Sequence, residues 1–98
     1  MRVAALRVEI RLPAVQSLKE KRALLRPVIE GMRKLGSYSV AEVDGHDLWQ
    51  RATLGVAIAA RDGRSLEMHI NKLRSYLDSR HSIEVVDMFR SELENPDA

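Results

Sequence analysis

The sequence predicts a single α+β domain built in the order β-α-β-β-α-β. Three observations carry this. Apolar letters alternate strictly over the first dozen residues; two later stretches repeat a strand pattern between turn residues; and two stretches place apolar residues at helical spacing behind a start signal. Ninety-eight residues, 45% hydrophobic, supply one hydrophobic core and no second one, so a single domain is expected over 1–98.

The elements follow in order. In Arg2 to Leu12 the even positions Ala4, Leu6, Val8, Ile10 and Leu12 share one side of an extended strand; Val3, Ala5, Arg7, Glu9 and Arg11 share the other. Pro13, with no N–H to give a ladder, closes it. Ser17 with Glu20 three residues on is a capping box, so the first helix is expected to start at Leu18. Leu18, Leu24, Leu25, Val28, Ile29, Met32 and Leu35 make its apolar face, and Gly36 is expected to end it in the left-handed conformation. Pro27 inside this pattern removes a ladder bond and predicts a kink.

Tyr38 to Asp44 reads as the second strand and Ala52 to Ala60 as the third. The segment between them, Gly45 to Arg51, exceeds the two to five residues usual in hairpins, and long loops in compact domains are often functional. Asp62-Gly63 is a turn signal. A second helix is expected from about Ser65 to Ser79, with Leu66, Ile70, Leu73 and Leu77 in a narrow stripe flanked by His69 and Tyr76. Ile83 to about Phe89 gives a fourth strand, and the acidic tail from Ser91 is expected to fray or add a short turn. This order is the ferredoxin-like plan: a four-stranded antiparallel sheet, strands one and three central, two helices on one face and the other face open.

Several function classes are excluded early. With no cysteine there is neither a disulfide framework nor a thiolate zinc site. Charges interrupt the first residues, so they are neither a signal-peptide core nor a membrane span, and a cytoplasmic protein is expected. A nucleophile elbow and a phosphate-cradling glycine loop are both missing, His69 and His81 read as boundary or surface histidines, and no cofactor is implied. Glu9 and Glu42 are the two carboxylates that strand pairing could bring together, but without a pocket such pairs are salt-bridge partners, so a non-catalytic protein is expected.

The combination of Leu18-Lys19-Glu20-Lys21-Arg22, Ser39-Val40-Ala41-Glu42-Val43-Asp44 and Asp47-Leu48-Trp49-Gln50-Arg51-Ala52-Thr53-Leu54-Gly55 resembles the YlxP-like family of small bacterial proteins, a domain of unknown function. The resemblance covers about residues 2 to 90. It implies a ferredoxin-like fold and a cytoplasmic protein. Its genes often neighbour those of transcription and translation factors, which implies work on RNA or the ribosome. It brings no catalytic residues to carry over.

What remains is surface. Residues 1 to 36 hold nine cations against three acids, a surplus of +6, while 37 to 98 hold seven against eleven, a deficit of −4. On the first helix Arg22, Arg33, Arg26 and Lys19 fall at about 40°, 60°, 80° and 100° from Leu18, with Lys21 and Lys34 flanking. Such a stripe can follow a phosphate backbone; alternatively it is a solvated face whose arginines pair with acids elsewhere in the domain. Trp49, the single tryptophan, is a stacking anchor if exposed and a core plug if buried. Asp44, His46 and Asp47 lack a metal-site spacing and are expected to shape the turn.

On the open face the outward set Thr53, Gly55, Ala57 and Ala59, beside Ala5 and Arg7, contains none of the aromatics with which RNA-recognition modules of this topology stack bases. Its small residues form a flat surface on which a second copy can settle, and Arg7 and Arg11 are expected to bond Glu42 across strands or across that interface. Two functions are therefore expected as alternatives. One is an RNA- or ribosome-associated module using Lys19, Arg22, Arg26, Arg33 and Trp49. The other is a homodimeric interaction or small-ligand module using Ala5, Arg7, Gly55, Ala57 and Ala59.

Overall fold

The computed structural model describes residues 1–94, in the order β1 (Arg2–Arg11), α1 (Leu18–Arg33), β2 (Tyr38–Asp44), β3 (Arg51–Ala60), α2 (Gly63–Asp78) and β4 (Glu84–Glu94). The strands make one antiparallel sheet ordered β2-β3-β1-β4, with β1 and β3 central as expected. In its register Leu6 stands opposite Val56 and Ala5 opposite Ala57. The even residues of β1 thus enter the core with Leu54, Val56 and Ile58, beneath Leu25, Val28 and Met32 of α1 and Leu66, Ile70, Leu73 and Leu77 of α2. Each buried aliphatic side chain contributes about 1.5–3 kcal/mol, so the strict alternation in the sequence fixes which sheet face the helices cover.

Helix α1 begins where the capping box places it. Ser17 Oγ accepts from the Glu20 amide at 3.1 Å, and Glu20 Oε2 accepts from the Gln16 amide at 2.9 Å. The helix runs unbroken through Pro27; Pro27 and Ala23 both lie on the exposed side, where water can take the carbonyl that proline leaves unpaired. Gly36 does not adopt the left-handed conformation expected of it. Lys34 caps the helix in right-handed geometry, and Gly36 is required for a different reason: a Cβ there would stand 2.9 Å from the Tyr38 ring. That ring is held by His69, whose Nδ1 lies 3.0 Å from the Tyr38 hydroxyl.

Two further boundaries differ by two residues or more from the sequence reading. Helix α2 starts at Gly63, because Asp62 caps it by accepting from the Ser65 amide at 2.8 Å. Strand β4 continues to Glu94, so Ser91 to Glu94 are strand and not a frayed tail, while the rest of that tail lies outside the described residues. The charges there suggest a frayed end. They are engaged instead: Arg90 bridges Glu67 of α2 and Glu92, both at 2.8 Å, and Glu92 also takes Arg2 at 3.0 Å. Among the described residues no helix is long and apolar enough to cross a membrane.

Candidate functional site

The segment joining β2 to β3 is long, yet hydrogen bonds hold it on every side. Lys21, 2% exposed, donates from Nζ to the carbonyls of Gly45 and Leu48, both at 2.7 Å. Glu42 Oε2 lies 2.8 Å from the same ammonium, off the hydrogen-bond axis, so this contact is an ion pair. The Leu48 amide closes a turn onto Gly45, whose φ of +75° suits glycine. His46 Nε2 meets the Glu42 carbonyl at 3.1 Å and Asp44 accepts from the Gly45 amide, so these side chains shape the turn as expected. The Gln50 amide group donates to Pro13 and Val15, and the Gln50 carbonyl accepts from the Leu12 amide. Burying a lysine charge is costly, and here it secures a loop that presents its own apolar residues outward. Trp49 is 53% exposed, an exposed side chain and not a core plug, and Leu48 is half-exposed beside it.

At this end of the open sheet face lies a groove of about 750 Å³ lined by Arg11, Asp47, Leu48, Trp49, Gln50, Arg51 and Val86. Arg11 and Arg51 are direct cross-strand partners, an arrangement of like charges that is destabilising in an isolated sheet. Two bulges flank the groove. The register slips between Glu42 and Asp44 on β2 and opposite Glu9 and Ile10 on β4, setting Val43 and Val86 outside the ladders, half-exposed. Bulges re-aim side chains and are over-represented beside functional sites. A smaller groove of about 440 Å³ adjoins along Arg7, Glu9, Thr53, Asp87 and Phe89.

Within it Glu9 accepts from Arg7 at 2.9 Å and from Thr53 at 2.8 Å, and these hydrogen bonds, Arg7's foremost, hold its carboxyl below the ordinary range. Arg7 also reaches Asp44 at 3.5 Å, and Arg11 reaches Glu84 at 3.8 Å. Neither meets Glu42, contrary to expectation. Glu42 points to the helix side and Glu9 to the open side, so the two carboxylates lie on opposite faces of the sheet. Among the described residues no group of three or more histidine, aspartate or glutamate side chains can hold a metal ion.

The α1 stripe is where its spacing puts it. Lys19, Arg22, Arg26 and Arg33 are exposed, and among the described residues none forms an ion pair; Arg33 instead donates to the Val40 carbonyl at 2.7 Å. Arg22 and Arg26 border two adjoining hollows of about 300 and 320 Å³, one reaching Arg33 and Glu42, the other Lys19 and Pro27. Trp49 borders neither and lines the groove at the open face. Lys21 does not flank the stripe, and its sequence position could have shown this. It falls at about 300° from Leu18, within the arc swept by Leu24, Val28, Met32 and Leu25, so its stem is committed to the core.

Ala5, Arg7, Ala57 and Ala59 are exposed on the open face, as predicted. Gly55 is only partly so, because Val43 lies over it: a Cβ at Gly55 would meet Val43 Cγ1 at 2.8 Å. The face also carries aromatic and aliphatic residues from β4. Phe89 opposite Arg7 is 54% exposed and Leu93 opposite Val3 is 65% exposed. Leu93 lies on the part of β4 beyond Phe89, where the sequence predicts no strand.

Comparison with known proteins agrees with the fold. The chain covers 97% of itself and 98% of a crystal structure of an antibiotic biosynthesis monooxygenase, with a TM-score of 0.56 at 15% identity. It also matches the structure of Rv0793 from Mycobacterium tuberculosis over 100% of this chain and 98% of that one, with a TM-score of 0.51 at 18% identity. At such identities the likeness is one of architecture. The uncharacterized protein YlxP of Bacillus subtilis (strain 168) is 31% identical over 68 residues, 69% of this chain and 74% of that protein. The family model described as protein of unknown function DUF503 matches residues 3–90, and the chain belongs to that YlxP-like family.

Proposed function

We propose that the protein is a non-catalytic binding module for structured RNA, the RNA of the ribosome included, engaged through α1. The observation that supports this reading is the set of four exposed cations, Lys19, Arg22, Arg26 and Arg33, none ion-paired among the described residues and two of them bordering adjoining hollows. A domain that neutralised its own charges would have paired them. Contacts of this kind track phosphates and do not read bases, so the expected partner is recognised by backbone shape. Four phosphate contacts give log K against log salt a slope of about −3 to −4. Cosedimentation with purified ribosomal subunits across a salt series tests this: binding should fall with that steepness and be lost in R22E/R26E. Association indifferent to salt, or retained by that variant, overturns the reading.

The open face favours a second reading, a homodimer. Phe89 and Leu93 stand exposed beside Ala5, Ala57 and Ala59, an apolar area of the kind that marks interaction surfaces. Light scattering at micromolar concentration should then return twice the chain mass of 11.1 kDa, and A57R should return the monomer. A monomer for the unaltered chain removes this reading.

A further inference from the structure

We propose that the groove between Trp49 and the Arg11–Arg51 pair is a binding site for a free mononucleotide, its base stacked on the indole and its single phosphate between the two guanidiniums. The site is separate from the α1 stripe and rests on different observations. Arg11 and Arg51 are placed directly opposite each other by the β1–β3 register, so their Cβ atoms are about 5 Å apart and their positive charges add. Arg51 has no ion pair among the described residues, and Arg11 has only Glu84 at 3.8 Å, so neither charge is strongly compensated within the chain. An anion between them relieves the repulsion, and guanidinium is the side chain best matched to phosphate.

The apolar half of the ligand follows from the same lining. Trp49, Leu48 and Val86 offer an indole face and two aliphatic contacts, and stacking on such a ring is worth about 1–3 kcal/mol per base. Asp47 on the same rim has the character of an acceptor for a sugar hydroxyl or an exocyclic amine. The groove is also preorganised: Lys21 and Gln50 fasten the loop backbone on both sides of Trp49, so little ordering remains to oppose binding.

Charge argues for one nucleotide and against a strand. Beyond the arginine pair the neighbouring surface carries Asp44, Asp47, Glu84 and Asp87, which oppose a second and third phosphate. The volume of about 750 Å³ falls in the range of small-molecule sites.

Trp49 is the chain's single tryptophan, so its emission reports this groove alone. Titrating the full chain with adenosine 5′-monophosphate should quench that emission saturably, with inorganic phosphate competing at higher concentration and adenosine binding about tenfold more weakly or worse. R11Q and R51Q should each raise the midpoint about tenfold, while R64Q, a charge-matched change on α2, leaves it unmoved. Amide resonances of residues 45–51 should shift on titration, an independent reading should a variant fold poorly. No saturable quench and no shift in those amides overturns the proposal, as does an unchanged midpoint in R11Q/R51Q. A short oligouridylate that binds there more tightly than the mononucleotide overturns the assignment to a free nucleotide. Either failure leaves the salt-dependent cosedimentation through Arg22 and Arg26 as it was, so the two sites stand or fall separately.

Discussion

Lys21 and Glu42 meet across the α1–β2 boundary with ammonium and carboxylate 2.8 Å apart, and the lysine is almost wholly enclosed. Removing one member of a buried pair strands the other, at a cost of about 3 kcal/mol or more. K21M is therefore expected to lower the unfolding free energy measured by urea titration by that amount and to speed hydrogen exchange at residues 45–50, whose two carbonyls lose their donor. E42Q leaves the lysine its two carbonyl acceptors and should cost less, about 1–2 kcal/mol. Equal losses in the two variants would show that the carbonyl contacts contribute nothing.

A close approach joins the helices. Tyr76 of α2 donates its hydroxyl to the Val28 carbonyl at 3.2 Å, and its ring end occupies the space a side chain at Gly31 would need. G31A should destabilise by about 1–3 kcal/mol through overpacking. Y76F/G31A should recover part of this, since the clash is worst at the hydroxyl. Additive losses in the double-mutant cycle would contradict the contact.

P27A restores the bond between residue 27 and the Ala23 carbonyl in a helix already continuous there. Proline costs about 3 kcal/mol relative to alanine in a helix interior, so a net gain of about 1–3 kcal/mol is expected. In a domain of this size each kcal/mol moves Tm by about 4–8 °C upward. A lower Tm would mean that the proline ring beside Lys19 and Arg22 is needed where it stands.

Acid should weaken the fold through particular carboxylates. Hydrogen bonds from Arg7 and Thr53 depress Glu9, and Arg90 depresses Glu67 and Glu92, each from an ordinary value of 4.5. For a group depressed in the folded state the stabilisation is complete above the unfolded value and is lost as pH falls through the folded one. Urea midpoints should thus hold near neutrality and fall below about pH 4.5. E9Q should show a shallower acid decline than the unaltered chain, and T53V an intermediate one. Identical profiles would exclude Glu9 as a contributor.

Most of the architecture was legible because burial on one face imposes a period of two on β1 and β3 and a near-continuous arc on α1. Two of the departures fall where charge is a poor guide to secondary structure or burial. Arg90 and Glu92 end a strand in appearance only, since they satisfy each other and residues distant in sequence. Lys21 looks like a surface cation by its charge, although its angle places it among the core residues. The α1 stripe could be read from helical spacing alone. The Trp49 groove could not, because it depends on a strand register, two bulges and a loop whose bonding partners come from elsewhere in the chain.

Lys21 lies in α1 between Lys19 and Arg22 in sequence, while its ammonium fastens the backbone of Gly45 and Leu48. The helix that carries the basic stripe and the loop that carries the indole thus share one tether. By thermodynamic linkage, whatever factor an occupant of the helix face imposes on the groove's affinity, an occupant of the groove imposes the same factor on the helix face. The two surfaces are chemically separate and are joined in the fold by one buried side chain.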